Sequence, residues 1–103
     1  MKIIESKTEY ESILKDNKSV FVDFYADWCG PCKMTGPVVE ELEKIHPEVK
    51  FVKVNVDNNP EIAGMYGIMS IPTLIAFKDG EAVDKTLGFH PQPALEAMVN
   101  KIR

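Results

Sequence analysis

Apolar and polar positions follow two different rhythms along this chain. Val20 to Ala26 reads VFVDFYA, apolar but for one aspartate. So short an apolar run marks a strand covered on both faces. FVKVNVD, Phe51 to Asp57, alternates as a strand with two unlike faces does. Near the start, a short strand around Lys2 to Ile4 leads to Ser6 and Glu9, spaced as a capping box. Tyr10, Ile13 and Leu14 then fall at helical spacing and predict a helix over about Lys7 to Asp16. A second helix is predicted from about Cys29 to His46, with Met34, Val38, Leu42 and Ile45 as its apolar stripe. Asn59 and Pro60 open a third, with Ile62, Met65 and Tyr66 on one face and Gly67 as its stop. TLIAFK and EAVDKTL flank Asp79-Gly80, a hairpin signal. After Pro91 and Pro93 a last helix carries Leu95, Met98, Val99 and Ile102. The order βαβαβαββα predicts an α/β sandwich with a mixed sheet, joined first by helical crossovers and then by a hairpin.

No repeat, linker or charge block interrupts the 103 residues, so one domain over 1–103 is expected. Hydrophobic residues at 45% and charged residues at 27% match a globular chain. Twelve basic residues against 16 acidic ones give a net charge of -4, and no stretch gathers the basic ones. Nucleic acid is therefore not an expected partner. The opening MKIIESKTEY is too polar for a signal-peptide core, and no later run is apolar enough to span a bilayer. A cytoplasmic location with no membrane contact is the expectation. In that reducing compartment a lasting structural disulfide is out of place.

That changes the meaning of residues 28 to 33, WCGPCK, which hold the only two cysteines. Zinc would need two further ligands nearby, yet the histidines, His46 and His90, stand at no knuckle spacing. Each reads better as a surface or helix-end side chain. Haem attachment needs a histidine after the second cysteine, where Lys33 stands. Neither a metal nor another cofactor is expected. Two inert buried thiols are the plain alternative, but redox chemistry explains more. A strand delivers the chain to a helix start within the motif, where unpaired N–H groups and the helix dipole favour a thiolate on Cys29. Pro31 suits a first helical turn, and Gly30 with Pro31 holds the sulfurs close enough to join. Cys32, one turn in, should be the less exposed. Cys29 would then attack a target disulfide and Cys32 would resolve the mixed disulfide.

VDFYADWCGPCK, with Ile71-Pro72-Thr73 further on and a hairpin closed by Asp79-Gly80, resembles the thioredoxin family over nearly the whole chain. Gly30-Pro31 is similar to its reductant branch. The resemblance implies the thioredoxin fold, a central five-stranded mixed sheet in the order 1-3-2-4-5 flanked by four helices. It implies a monomer that reduces disulfide-containing protein substrates through a Cys29–Cys32 disulfide and is recharged by a thioredoxin reductase.

Supporting residues follow. Asp23 breaks an apolar strand, which is costly unless the carboxyl is paired or protonated. It is either a hydrogen-bonded structural aspartate or a proton acceptor behind Cys32. The family has an aspartate here, and Lys53 matches the lysine on the neighbouring strand that pairs with it. Trp28 is core or, as in the family, a shield for the thiolate and an apolar docking face. X-Pro bonds are seldom cis, but the resemblance implies a cis Pro72 lying against the dithiol. Beside it the Ile71 backbone can pair with an extended substrate segment. Gly88 matches the glycine of the family's third docking loop.

The chain also departs from the family pattern. Thr35-Gly36 replaces a bulky apolar residue followed by alanine, and Gly36 precedes Pro37, whose ring should kink the helix. Phe89 stands where a small residue is usual, making the docking surface either more apolar or partly occluded, and Tyr25 replaces a common tryptophan. Two other readings stand beside the reductase: a thioredoxin-fold binding subunit whose dithiol is incidental, and a redox carrier with a narrow set of partners. The intact WCGPC disfavours the first, since a scaffold needs neither sulfur.

Overall fold

The computed structural model describes residues 1–103 and contains β1 (Lys2–Ile3), α1 (Lys7–Asp16), β2 (Ser19–Tyr25), α2 (Gly30–Ile45) and β3 (Lys50–Asn55). There follow α3 (Pro60–Met65), β4 (Thr73–Lys78), β5 (Glu81–Leu87) and α4 (Gln92–Asn100). The five strands form one sheet in the order β1-β3-β2-β4-β5. β3 lies parallel to β1 and β2, whereas β4 runs antiparallel to β2 and β5. This is the mixed sheet that the alternation of crossovers and a hairpin requires.

β2 is central, so neither face meets water, and its residues are buried from Ser19 to Phe24. Strand parity divides them. Val20, Val22 and Phe24 join Ile4, Tyr10, Val52, Val54, Ile62, Ile75 and Phe77 in a core beneath α1 and α3. Phe21 points the other way and joins Phe51, Leu74 and Ala76 with Val39 and Leu42 of α2 and Leu95, Met98 and Val99 of α4. Asp23 and Tyr25 share the parity of Phe21, and Lys53 that of Phe51. The register sets Asp23 beside Lys53 on one side and Leu74 on the other. One sheet face thus brings all three polar side chains under α2.

The apolar stripe of α2 differs from the one the spacing suggested. Met34 and Ile45 are exposed, while Cys32, Thr35, Val39 and Leu42 are buried. Thr35 can turn inward because its Oγ1 donates to the Pro31 carbonyl at 3.0 Å, satisfying the hydroxyl within the helix. Despite Pro37, α2 runs as one element from Gly30 to Ile45. It ends at His46, which is buried rather than on the surface and pairs with Glu96 of α4. Met65 is likewise exposed, and Ala63 joins Ile62 as the buried side of α3.

Two caps also close in other ways. Ser6 Oγ accepts from Glu9 N–H at 3.1 Å, but the Glu9 carboxylate accepts from Glu5 N–H rather than from Ser6. Asn59 precedes α3 without capping it, because its Nδ2 donates to the Ile4 and Asn55 carbonyls. The hairpin is as expected: Asp79 and Gly80 both take positive φ, 51° and 81°, as a two-residue turn between twisted strands demands.

Candidate redox site

The two cysteines sit where the end of β2 meets the start of α2. Cys29 is the N-cap of α2, and Pro31 lies in its first turn. Cys29 and Cys32 form a disulfide with their Cα atoms 5.3 Å apart. The Cys32 N–H points at Cys29 Sγ, 3.2 Å away. An N-cap normally offers an oxygen to that orphan donor, and here it offers sulfur. The same N–H and the helix dipole stabilise negative charge on Cys29 when the bond is open. In this oxidised state the sulfurs do not differ in access as expected: Cys29 is 4% exposed and Cys32 6%. The cause is packing, since Cys29 lies under Ile71 and its Sγ is 3.7 Å from the Ile71 carbonyl oxygen.

Ile71-Pro72 is a cis peptide. Gly88, at φ 78°, donates its N–H to the Pro72 carbonyl at 2.8 Å. Ile71, Pro72 and Gly88 are thereby gathered at the disulfide's edge, and Phe89 follows Gly88 with 41% of its surface exposed. His90 fixes this loop to the end of β5, bonding Thr86 Oγ1 at 2.7 Å and the Leu87 carbonyl at 2.9 Å. Trp28, 70% exposed, is anchored on the opposite side by its Nε1–H, which donates to Asp57 Oδ2 at 2.9 Å. Asp57 was not marked by the sequence reasoning. Its position is set by Asn55, whose Oδ1 accepts from the Asp57 and Asn58 N–H groups. Such a side-chain-made turn after a strand was the available signal.

Beneath α2, Asp23 is 2% exposed and its Oδ1 has no hydrogen-bond partner. Burial pushes its carboxyl up to about 7, and the positive charge of Lys53 opposes the rise. The expected pairing of Lys53 with Asp23 is not made. Lys53 enters none of the ion pairs. Its Nζ stands over the Tyr25 ring instead, 4.9 Å from the centroid. A cavity of about 290 Å³ opens beside Cys32, between Tyr25 and Lys53 of the sheet and Gly36 and Pro37 of α2. No cluster of His, Cys, Asp and Glu could hold a metal ion, and no helix is long and apolar enough to cross a membrane.

Known proteins repeat both sequence and architecture. The family model for thioredoxin matches residues 1–101. A thioredoxin of Bacillus subtilis is 48% identical over 102 residues, which cover 98% of either chain. The structure of Plasmodium falciparum thioredoxin superposes with a TM-score of 0.94 at 40% identity, covering all of both chains. Oxidised mitochondrial thioredoxin 3 of Saccharomyces cerevisiae superposes at 0.92 with 37% identity, covering 98% of this chain and 94% of that one. With a disulfide across Cys29-Gly30-Pro31-Cys32 at the start of α2, the chain is a thiol-disulfide oxidoreductase and belongs to the thioredoxin family.

Proposed function

We propose that this protein reduces protein disulfides, with Cys29 attacking and Cys32 resolving. The observation that carries the reading is the N–H of Cys32 aimed at Cys29 Sγ from the first turn of α2. The Cys29 thiolate attacks one sulfur of a target disulfide, forming a mixed disulfide and releasing the other target sulfur as a thiolate, which takes a proton from water. Cys32 gives up its proton and attacks Cys29 Sγ. The mixed bond breaks, the second target sulfur leaves with the electron pair, and the Cys29–Cys32 bond closes. Two electrons pass to the target.

Asp23 receives the Cys32 proton. A carboxyl held near 7 is matched to that transfer at neutral pH, whereas an ordinary aspartate is too weak a base. Lys53 limits how far the carboxyl rises. Trp28, Gly30, Pro31, Ile71, Pro72, Gly88 and Phe89 form the docking face. The free Ile71 backbone offers a strand-like edge to the target segment, and Trp28 and Phe89 flank it with apolar surface. A thioredoxin reductase restores the dithiol. The protein acts as a one-domain monomer in the cytoplasm, with no resident metal or cofactor beyond its own disulfide.

Covalent capture tests the division of labour. Cys32→Ser attacks but cannot resolve, so it should accumulate mixed disulfides with proteins of a cell extract, each linked through Cys29 in mass spectra. Cys29→Ser should capture nothing. Capture by Cys29→Ser and not by Cys32→Ser would reverse the roles.

A further inference from the structure

Tyr25 is left without a task by the scheme above, although its ring occupies the one place where it can govern Lys53. Parity puts Asp23 and Tyr25 on the same sheet face two residues apart, and the β2–β3 register puts Lys53 next to Asp23. An ammonium beside a buried carboxyl with a free oxygen should close on it. It does not: Asp23 Oδ1 is unpartnered, and Lys53 Nζ lies 4.9 Å from the centre of the Tyr25 ring. We infer that Tyr25 is a positioning residue, whose ring face holds the Lys53 ammonium away from Asp23 and so keeps the carboxyl protonatable behind Cys32.

The alternatives for the ammonium are few. Asp27, Lys33, Cys32 and Glu40 line the cavity that Lys53 borders, so Asp27 and Glu40 are the acidic groups that face it from the β2–α2 turn and from α2. Neither forms an ion pair with it. A ring face attracts a cation without forming a directed salt bridge and leaves it wetted from the cavity side. A charge held there still acts on Asp23, but more weakly than one in contact, which would drive the carboxyl down. The proposal rests on the proton-acceptor role of Asp23 for its consequence in catalysis, not for its geometry.

The test is a double-mutant cycle read on Asp23 itself. The Asp23 carboxyl is titrated by NMR in the wild type, Tyr25→Leu, Lys53→Met and the double variant. With Lys53 present, Tyr25→Leu releases the ammonium, and the Asp23 midpoint should fall by about one pH unit. With Lys53→Met in place, the same loss of the ring should leave the midpoint unchanged. Tyr25→Trp, which restores a ring face, should restore the wild-type midpoint. An equal fall in both backgrounds would mean that the ring acts only by keeping water out, and no fall in either would mean that it does nothing. Both overturn the proposal. The pH profile of insulin reduction is measured in parallel. If the midpoint moves as expected and the profile does not, the positioning role stands and the proton-acceptor role of Asp23 fails.

Discussion

The N–H of Gly88 donates to the carbonyl of Pro72 at 2.8 Å, tying the β5–α4 loop to the loop that packs on the disulfide. Phe89 follows Gly88 on the tied loop, and in the proposed docking face it stands at the rim of the dithiol. Phe89 is 41% exposed, and in that proposed face it offers the exposed apolar surface to a docking partner. Phe89→Ala should raise the KM for protein substrates or for the reductase several-fold. The redox potential should stay nearly constant, which equilibration against glutathione would check. Unchanged KM values for both partners would make Phe89 a bystander.

Asp23→Asn should stabilise the protein, and by an amount that depends on pH. A buried carboxyl raised from the usual 3.8 to about 7 is protonated in both folded and unfolded chains at low pH, where it costs nothing extra. As pH climbs, the unfolded aspartate ionises first, and the folded state forfeits stability until its own group ionises. The loss accumulates between about pH 4 and 7 and amounts to about 4 kcal/mol above that window. Asparagine cannot ionise. The variant should therefore match wild type near pH 4 and exceed it by about 3–4 kcal/mol at pH 8 in urea unfolding. Equal stabilisation at both pH values would point to packing rather than ionisation.

How much of this was legible in the sequence varies with the kind of signal. The order of elements, the Asp79-Gly80 turn and the helix start at the dithiol came from local rules that tertiary contacts did not override. So did the burial of Asp23, because a single charged residue inside VFVDFYA has nowhere else to go. The stripe on α2 was misjudged because side-chain type was read without the hydroxyl's option of bonding back to the helix. Thr35 turns inward through its bond to Pro31, and Met34 is left outside. The partner of Lys53 was not legible either. Register alone puts it beside Asp23, and only the three-dimensional position of the Tyr25 ring diverts it. Asp57 escaped notice because its tie to Trp28 joins residues 29 positions apart.

Gly36→Ala should stabilise α2. Gly36 is inside the helix without a positive φ, and an added Cβ would meet no heavy atom within 4 Å. Alanine then removes unfolded-chain entropy, worth about 1 kcal/mol, against whatever contact its Cβ makes with the ring of Pro37, the next residue. A rise of several degrees in Tm by calorimetry is expected. A fall would mean that the added Cβ crowds the Pro37 ring in this helical backbone by more than the entropy gain. Because Gly36 also lines the cavity beside Cys32, the rate of resolution deserves measurement in the same variant.

Asp57→Ala should loosen Trp28 without unfolding the protein. Trp28 is the only tryptophan, so its emission reports on this site alone. Trp28 is 70% exposed, and the bond from Nε1–H to Asp57 is the hydrogen bond its side chain makes. A surface bond of this kind contributes about 1 kcal/mol or less to stability, so Tm should shift little. The ring's freedom should change more. Steady-state anisotropy should drop, and kcat/KM for protein substrates should decline about two- to fivefold as the ring must be ordered on docking. Small disulfides that do not reach Trp28 should react at the wild-type rate. An unchanged anisotropy would show that packing around the α2 start, and not Asp57, holds the ring.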